Sequence, residues 1–238
     1  MTTVLMIGSA PMAMEAAGWP RKGFDRILAI NNAHRVRPDW DFAIYPWDFA
    51  TERRPVAKNG QRVITETEFV PAQNGFGGFV YAGATMAFTS AYWALNALRP
   101  RIIAAFGCDM HYGPGRTHFY GRGEPDPLRR DITLRNLEAK SARLMVMAAL
   151  QGCAMVNLST GPSRLIFPRA QRCHLAAVRP LPFCPDLAAK ARKREADLGY
   201  DTPSGRYWEE LERFDVAELD ALDQLWLDAA RMQWRASA

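Results

Sequence analysis

The fold of this chain is decided by residues 4–11, which read VLMIGSAP. Four consecutive apolar residues predict a buried strand, and the small residues after them allow a tight turn into a helix over residues 12–17. Pro11 suits the first position of that helix, since an N–H there would have no partner within the helix. The opening therefore predicts a strand, a loop and a helix, the unit from which parallel α/β sheets are built.

The same order recurs along residues 1–180. Residues 62–70 alternate less cleanly between apolar and polar and are predicted as a further strand. Continuous apolar strands separated by helices are typical of a parallel sheet that is covered on both faces. We therefore predict an α/β fold with a single Rossmann-like, mostly parallel sheet and helices on both faces. The clearest of the further strands are predicted at 26–30, 42–45, 101–106 and 155–158.

Two helices are predicted between these strands. The first, at 79–98, carries Gly83 and two alanines at four-residue spacing, a row of small side chains that would let it pack closely on the sheet. The second, at 132–151, follows Asp131, whose side chain suits a helix N-cap.

Residues 181–238 predict a helical extension that is separate from the sheet domain. A charged helix is expected at 186–198, and a final helix opens at Asp215 with Glu218 three residues on, as in a capping box. Its apolar stripe must be buried, so we expect it to dock on the sheet domain, with a homodimer contact as the alternative. The stripe consists of Val216, Leu219, Leu222, Trp226, Ala229 and Ala230.

Composition and cysteine usage exclude several classes of protein. The 238 residues are 48% hydrophobic and 23% charged, which is typical of a folded globular chain. The four cysteines form no C-x-x-C pair, so neither a zinc motif nor a disulfide framework is expected. The N-terminus lacks the cationic start of a signal peptide, and the uncharged stretch 69–98 is too rich in alanine and polar residues for a membrane span. We expect a cytoplasmic protein.

Charge is distributed unevenly along the chain. Residues 186–238 hold 8 Lys and Arg against 12 Asp and Glu, net −4, whereas residues 1–185 hold 22 against 13, net +9. A cationic body favours an anionic ligand, and a peripheral contact with a membrane surface stays open as an alternative. No basic run interleaved with aromatic residues occurs, so nucleic acid is not expected as a partner.

The loops that follow the predicted strands are the expected site. In an open parallel sheet, ligands bind outside the carboxyl ends of the strands, where the strand order reverses. These loops carry small, amide, hydroxyl and imidazole side chains, which are unusually polar for positions directly after apolar runs. They lie at residues 8–11, 31–34, 46–49, 107–123 and 159–163.

Two of these loops offer groups for a nucleotide. Gly8 and Ser9 allow a ligand to approach backbone N–H groups at a helix start, an arrangement that binds phosphate, although a plain tight turn explains them equally well. Asn31 and Asn32 offer amide donors and acceptors to a base or ribose, or else serve as turn residues. A D-x-D sequence at 39–41 precedes its strand, at the opposite end of the sheet, and is expected to be a solvated turn.

The loop at 107–123 holds the richest chemistry. Its 17 residues include two histidines, two tyrosines, two arginines and five glycines. His111 and His118 can take a proton near neutral pH, and Asp109 can orient an imidazole or accept from a sugar hydroxyl. Tyrosine hydroxyls and arginine forks can bind phosphate. The alternative interpretation is a glycine-rich surface loop whose aromatic side chains cover the core.

Taken together, these motifs resemble the sialyltransferase-like glycosyltransferases of bacteria, family 42. Residues 4–12 are similar to the family's strand-Gly-Asn-Gly-Pro-Ser start, and residues 25–31 resemble its second strand, which ends in a nucleotide-binding Asn. Residues 42–49 resemble its third strand. Residues 107–112 are similar to its Gly-x-Asp-Phe-Tyr motif, and residues 117–122 to its Ser-His-Tyr-x-Gly-His motif.

The resemblance covers about residues 3–168 and implies a function. That function is transfer of a sugar, without a metal or other cofactor, from a CMP-activated, sialic-acid-like donor to a glycan acceptor, as in bacterial surface glycan synthesis. The family's catalytic second histidine is replaced here by Arg122, so His118, or failing it His111, is expected to be the base, with Asp109 orienting the site. Substrate binding is implied for Gly8, Ser9, Asn31, Asn32, Asp48, Tyr112 and Arg122.

Two alternatives stay open. The motifs are also similar to flagellin-glycosylation and 6-hydroxymethylpterin pyrophosphokinase-like proteins, which implies Mg²⁺-dependent pyrophosphoryl transfer to a small pterin-like alcohol. Such chemistry needs carboxylates for the metal, and Asp48, Asp109 and Glu124 are the acidic residues near the expected site. The other alternative is a non-catalytic protein that binds a nucleotide or a glycan.

Overall fold

Six strands form one parallel sheet in the computed structural model, which describes residues 2–113, 115–122 and 129–231. The strands are β1 (Thr3–Ile7), β2 (Arg26–Ile30), β3 (Phe42–Ile44), β4 (Arg62–Ile64), β5 (Ile102–Phe106) and β6 (Ala154–Asn157). Their order across the sheet is β4-β3-β2-β1-β5-β6, so the order reverses between β1 and β5. This confirms the Rossmann-like α/β fold predicted from the sequence.

The position of β1 inside the sheet explains the continuous apolar run at residues 4–7. It is hydrogen-bonded to β2 on one side and to β5 on the other. Val4 and Met6 join the core on one face of the sheet, while Leu5 and Ile7 join the core on the other face. Both faces are therefore buried, which explains why residues 4–7 are apolar at every position.

The two faces of the sheet are covered differently. Six α-helices contribute buried residues to the core that contains Val4 and Met6. The opposite face is covered by 3-10 helices at Pro11–Gly18, Asn31–Arg35 and Arg172–Ala177. The α-helices are α1 (Glu66–Asn74), α2 (Phe79–Ala82), α3 (Met86–Leu98), α4 (Leu137–Leu150), α5 (Pro185–Leu198) and α6 (Val216–Arg231).

The direction in which the connections cross the sheet accounts for much of this division. The connections from β1 to β2 and from β2 to β3 run one way across the sheet, and those from β4 to β5 and from β5 to β6 run the other way. A right-handed crossover places connections of opposite direction on opposite faces. The helix predicted at 12–17 lies in the first of these connections. It is a 3-10 helix, Pro11–Gly18, with Pro11 at its first position.

Two predicted elements between β3 and β5 are wrong in detail. The strand expected over 62–70 ends at Ile64, and α1 begins two residues later. The helix expected over 79–98 is interrupted at Gly83, whose φ of +85° favours glycine. A Cβ on Gly83 would lie 2.9 Å from Cδ2 of Phe88, so this glycine permits a break and does not line a packed helix face as predicted. Thr85 then caps α3 by accepting from the Phe88 N–H.

The helix expected over 132–151 is also two elements. Asp131 caps a 3-10 helix, Ile132–Leu134, by accepting from the Thr133 N–H at 2.8 Å. Asn136 caps α4 by accepting from the Ala139 N–H at 3.0 Å. Each cap satisfies an N–H that has no partner within its helix, and the second cap begins a separate helix.

The extension packs on the sheet domain through buried polar contacts as well as apolar ones. Trp226 of α6 is 1% exposed and donates its indole N–H to Glu195 of α5 at 2.8 Å. The Glu195 carboxylate also accepts two hydrogen bonds at 2.8 Å from Arg143 of α4. At the start of α6, Asp215 accepts from the Ala217 N–H at 2.7 Å and so caps the helix, but its own N–H donates to the Tyr200 hydroxyl and not to Glu218, so the predicted capping box is only half formed. None of the helices in the described ranges has the length and low charge that crossing a membrane would require.

Candidate functional site

A cleft of about 1320 Å³ opens at the carboxyl end of the sheet, where β1 and β5 lie side by side. It is lined by the loops that follow β1, β2, β3 and β5, so four of the five loops singled out in the sequence contribute to it. The strands point their carboxyl ends to one edge of the sheet because all are parallel, and the reversal of strand order leaves room between their loops. Of the predicted site residues, the cleft wall contains Gly8, Ser9, Asn31, Asp48, His111, Tyr112 and His118.

Three predicted site residues lie away from the cleft wall. Asn32 is 2% exposed within the first turn of a 3-10 helix. Asp109 is 5% exposed and turns towards β6, where its carboxylate accepts from Asn157 Nδ2 at 2.9 Å. Arg122 is exposed but does not line the cleft. A fourth residue, Glu124, lies outside the described residues.

The loop after β1 uses its amides inside the protein. The N–H of Gly8 donates to Phe106 O at 2.8 Å, and the N–H of Ala10 donates to Gly107 O at 3.0 Å. The phosphate-cradle interpretation expected backbone amides that face a ligand. These two amides are instead bonded within the protein. Gly8 is needed for a different reason, since a Cβ there would lie 2.3 Å from Gly107 O. The two glycines let the loops after β1 and β5 touch at the base of the cleft.

His118 is held in a fixed position on the cleft wall. Its backbone N–H and carbonyl pair with those of Gly121 in a tight turn, and the next residue, Phe119, donates its N–H to Ser9 O at 3.0 Å. The imidazole ring lies 5.8 Å from the ring of Tyr112 and stacks on Tyr120 at 4.9 Å, as measured between ring centroids. The loop after β5 is thereby tied to the loop after β1.

The environment of His118 suits proton transfer. Its Nδ1 lies 2.9 Å from Oγ1 of Thr117, and burial lowers the pKa of the ring from its ordinary value of 6.5. The ring is therefore neutral at neutral pH and retains a nitrogen that can accept a proton. His111 also lines the cleft but is exposed.

Backbone strain is concentrated at this edge of the sheet. Asn31, directly after β2, has φ of 51°, and Met110, in the loop after β5, has φ of 50°. Within the described ranges these are two of three non-glycine residues with positive φ, and both line the cleft. Asparagine tolerates this conformation, whereas it is costly for methionine. Residues held in such conformations cluster at functional sites, where the surrounding structure enforces them.

The cleft also collects exposed aromatic side chains, which sequence reasoning missed. Trp47, Tyr120 and Trp208 are 65%, 37% and 49% exposed, and all three line the cleft. The other large hydrophobic side chains that are exposed in the described ranges are all aliphatic, and none of them lines it. Flat aromatic surfaces left open to water at one cleft are a mark of ligand binding. Trp47 lies in a loop that the sequence singled out, but Trp208 lies in the extension, for which no site was predicted.

The extension contributes one wall of the cleft through residues 204–209. Tyr207 fixes this wall: it is 4% exposed and donates its hydroxyl to Oδ2 of Asp131 at 2.6 Å. Arg129 donates to the same hydroxyl at 3.1 Å and to Asp131 at 3.0 Å. Burial opposes ionisation of Asp131, but the bonds from Tyr207 and Thr133 outweigh it and hold the pKa of this carboxyl below its ordinary value.

The electrostatic character of the cleft is mixed. Arg53, Arg129 and Arg206 line it together with Asp48, Glu66, Asp131 and Glu209. Within the described ranges, no group of three or more His, Cys, Asp or Glu side chains is close enough to hold a metal ion. The D-x-D residues are remote from the cleft, as expected: Asp41, before β3, accepts from Arg21 at 2.6 Å and from the Ile27 N–H at 2.7 Å.

Compared with protein-family models, with curated proteins and with solved structures, the chain matches none. The geometry of this cleft is therefore the basis on which a function can be assigned.

Proposed function

We propose that this protein transfers a sugar from a nucleotide-activated donor of the CMP type to a glycan acceptor, with His118 as the base. The observation that carries the proposal is the grouping of a neutral, half-buried histidine and three exposed aromatic rings in one cleft at the point where strand order reverses. A histidine or an exposed ring by itself is common on protein surfaces, but their combination suits a base beside stacked sugar or nucleotide rings.

The size of the cleft supports a reaction between two substrates. Sites for one small ligand usually measure about 300–1,000 Å³. A cleft of about 1320 Å³ is larger than that and accommodates a donor and an acceptor side by side. Bringing two substrates together in fixed orientation is itself a large part of catalysis in group transfer.

The proposed placement follows the loops. The nucleotide lies against Ser9 and Asn31 at the ends of β1 and β2, where a nucleotide binds in Rossmann-like sheets. The phenol of Tyr112 donates to the phosphate of the donor as that group departs. Asp109 is buried beside Asn157 and holds the loop after β5 without touching substrate. Arg122, which does not line the cleft, is given no role in this placement.

The proton and electron movements are simple. The acceptor hydroxyl oxygen attacks the anomeric carbon of the donor, and the bond from that carbon to phosphate breaks. CMP leaves with the bonding electron pair, and the hydroxyl proton passes to His118. With Nδ1 protonated and donating to Thr117, Nε2 holds the lone pair that accepts the proton.

The test is CMP release from a CMP-activated sugar by the full chain, with and without acceptor. Replacing a positioned base should lower the rate of transfer about 10²–10⁴-fold, so this decrease is expected for His118→Ala. His111→Ala tests the other cleft histidine, and His174→Ala is the matched control because His174 is exposed and remote from the cleft. Unchanged transfer by His118→Ala would refute the assignment of the base.

Ligand binding supplies a second test. Thermal unfolding is measured with CMP, CDP, UDP, GDP and ATP, with and without Mg²⁺, because a bound ligand raises the stability of the folded state. Stabilisation by CMP without Mg²⁺ is expected. Activity that EDTA abolishes and magnesium restores would instead favour pyrophosphoryl transfer.

A further inference from the structure

We infer that residues 204–209 of the extension form the acceptor side of the cleft, and that Trp208 stacks against a sugar ring of the acceptor glycan. This inference rests on the proposed function. It assigns a binding role to a segment of the chain in which the residue pattern alone indicated none.

The first support is that this wall is built separately from the loops proposed to hold the nucleotide. Residues 204–209 are held by α2 and by Arg129 and Asp131, which directly precede the 3-10 helix Ile132–Leu134. Asn74, at the end of α1, donates its amide to Pro203 O at 2.9 Å. The ring of Tyr207 stacks on Phe79 of α2, with centroids 6.4 Å apart. The wall therefore faces the cleft from a part of the fold that the donor site does not use.

The second support is that the wall is rigid where it needs to be. The buried hydroxyl of Tyr207 is held by Asp131 and Arg129, and its ring packs edge-on against Trp208 at 5.4 Å between centroids. A 3-10 turn spans Tyr207–Glu209, with the Glu209 N–H donating to Arg206 O at 3.0 Å. The indole is thus presented at a fixed angle, which lowers the entropy cost of binding.

The third support is the chemistry beside the indole. Trp208 leaves 49% of its surface open, and its neighbours Arg206 and Glu209 are more than half exposed, with their charged ends 3.5 Å apart. A sugar ring has an apolar face of C–H groups and a rim of hydroxyls. An indole suits the face, while the guanidinium donates to, and the carboxylate accepts from, the hydroxyls. This set of groups favours a hydroxyl-rich, uncharged saccharide.

The test separates acceptor binding from donor chemistry. Trp208→Ala and wild type are compared in two rates, CMP release without acceptor and transfer to a panel of methyl glycosides of galactose, glucose and N-acetylglucosamine. Loss of one stacked ring should raise the acceptor KM about tenfold. The rate of CMP release without acceptor should fall far less than the rate of transfer, and Trp208→Tyr should restore most of the affinity for acceptor.

The matched control is Leu211→Ala. Leu211 is 50% exposed, lies in the next 3-10 helix of the same extension, and does not line the cleft. It should alter neither rate. Equal losses of both rates in Trp208→Ala, or no change in acceptor KM, would overturn the inference.

A binding measurement distinguishes failure of this inference from failure of the proposed function. Saturation-transfer NMR of wild type and Trp208→Ala with the same glycosides reports saccharide binding without catalysis. If wild type binds a glycoside and Trp208→Ala does not, the binding role of residues 204–209 is supported even when wild type releases no CMP. The lack of CMP release would then refute only the proposed function. If wild type releases CMP but binds none of the glycosides, the inference about residues 204–209 is overturned and the proposed function is not.

Discussion

The contact between Gly8 and Gly107 gives the sharpest prediction of stability. In Gly8→Ala the new Cβ would lie 2.3 Å from Gly107 O and 2.8 Å from Sγ of Cys108, whereas ordinary contact begins at 3.4 Å. The obstacle is a backbone carbonyl, which accepts the Ala10 N–H, so the loops after β1 and β5 must separate by about 1 Å. No flexible side-chain end can move aside to relieve the contact with the carbonyl.

The expected loss can be worked from these contacts. Overpacking of a tight site costs about 1–3 kcal/mol, and weakening one of the hydrogen bonds between the loops adds about 1 kcal/mol. We therefore expect the free energy of unfolding to fall by about 2–4 kcal/mol. For a chain of this length that corresponds to a fall in Tm of about 4–16 °C.

The assay is urea unfolding of the full chain followed by circular dichroism, with the slope against urea checked for constancy. Gly18→Ala is the matched control, because a Cβ there has no atom within 4 Å and the residue has no positive φ. That variant should match wild type or gain up to about 1 kcal/mol. A Gly8→Ala variant within about 0.5 kcal/mol of wild type, at an equal slope, would refute the reasoning.

Three further outcomes are expected. Glu195→Ala leaves the buried Arg143 without its carboxylate partner and should lower the free energy of unfolding by about 3–5 kcal/mol. Asp220→Ala breaks an exposed ion pair and should lower it by less than about 1 kcal/mol. Equal urea midpoints for the two variants would contradict this expectation. Because burial lowers the pKa of His118, the rate of transfer should fall in acid with a midpoint below pH 6.5, and the residual activity of His118→Gln should lack that step. A midpoint above 6.5 would argue against His118 as base. Tyr207→Phe removes a hydrogen bond that lowers the pKa of Asp131 and should lower the free energy of unfolding by about 1–2 kcal/mol. This loss should be complete above the ordinary carboxyl pKa of 3.8 and become smaller below it. Unfolding at neutral and at acid pH measures the loss, and a loss that does not change with pH would contradict the expectation.

The strands were predictable because their signal is local. Runs such as residues 4–7 must be apolar at every position when both faces of a strand are buried, and this pattern is legible without knowledge of the neighbouring strands. The parallel arrangement followed from the alternation of such runs with helices. The location of the cleft followed in turn, since parallel strands bring their carboxyl ends to one edge.

The helix boundaries were less predictable. The break at Gly83 lies inside a stretch rich in alanine and aromatic residues, and it reflects packing of Phe88 against that glycine. The second start at Asn136 likewise follows a 3-10 turn that a 3.6-residue pattern does not register. The first break is supported by a tertiary contact, because the Ala84 N–H donates to Oγ1 of Thr133 at 3.0 Å, whereas the second follows from the short-range caps at Asp131 and Asn136.

The site was only partly predictable for a related reason. Position after a strand placed His118, Tyr112 and Asn31 correctly on the cleft wall, yet the same rule gave no means of telling that Asp109 turns towards β6. Which way a side chain points from a loop depends on its hydrogen-bond partners, and Asn157 lies 48 residues further along the chain.

The sequence by itself determined the strand pattern, the sheet type and the edge at which the cleft opens, because these depend on short-range periodicity and on the geometry common to all parallel sheets. Only the tertiary structure decided that Trp208 shares a cleft with Trp47, 161 residues earlier in the chain, and that Tyr207 locks to Asp131 across 76 positions. Contacts over such separations arise from the packing of whole elements, which no local pattern of residues encodes.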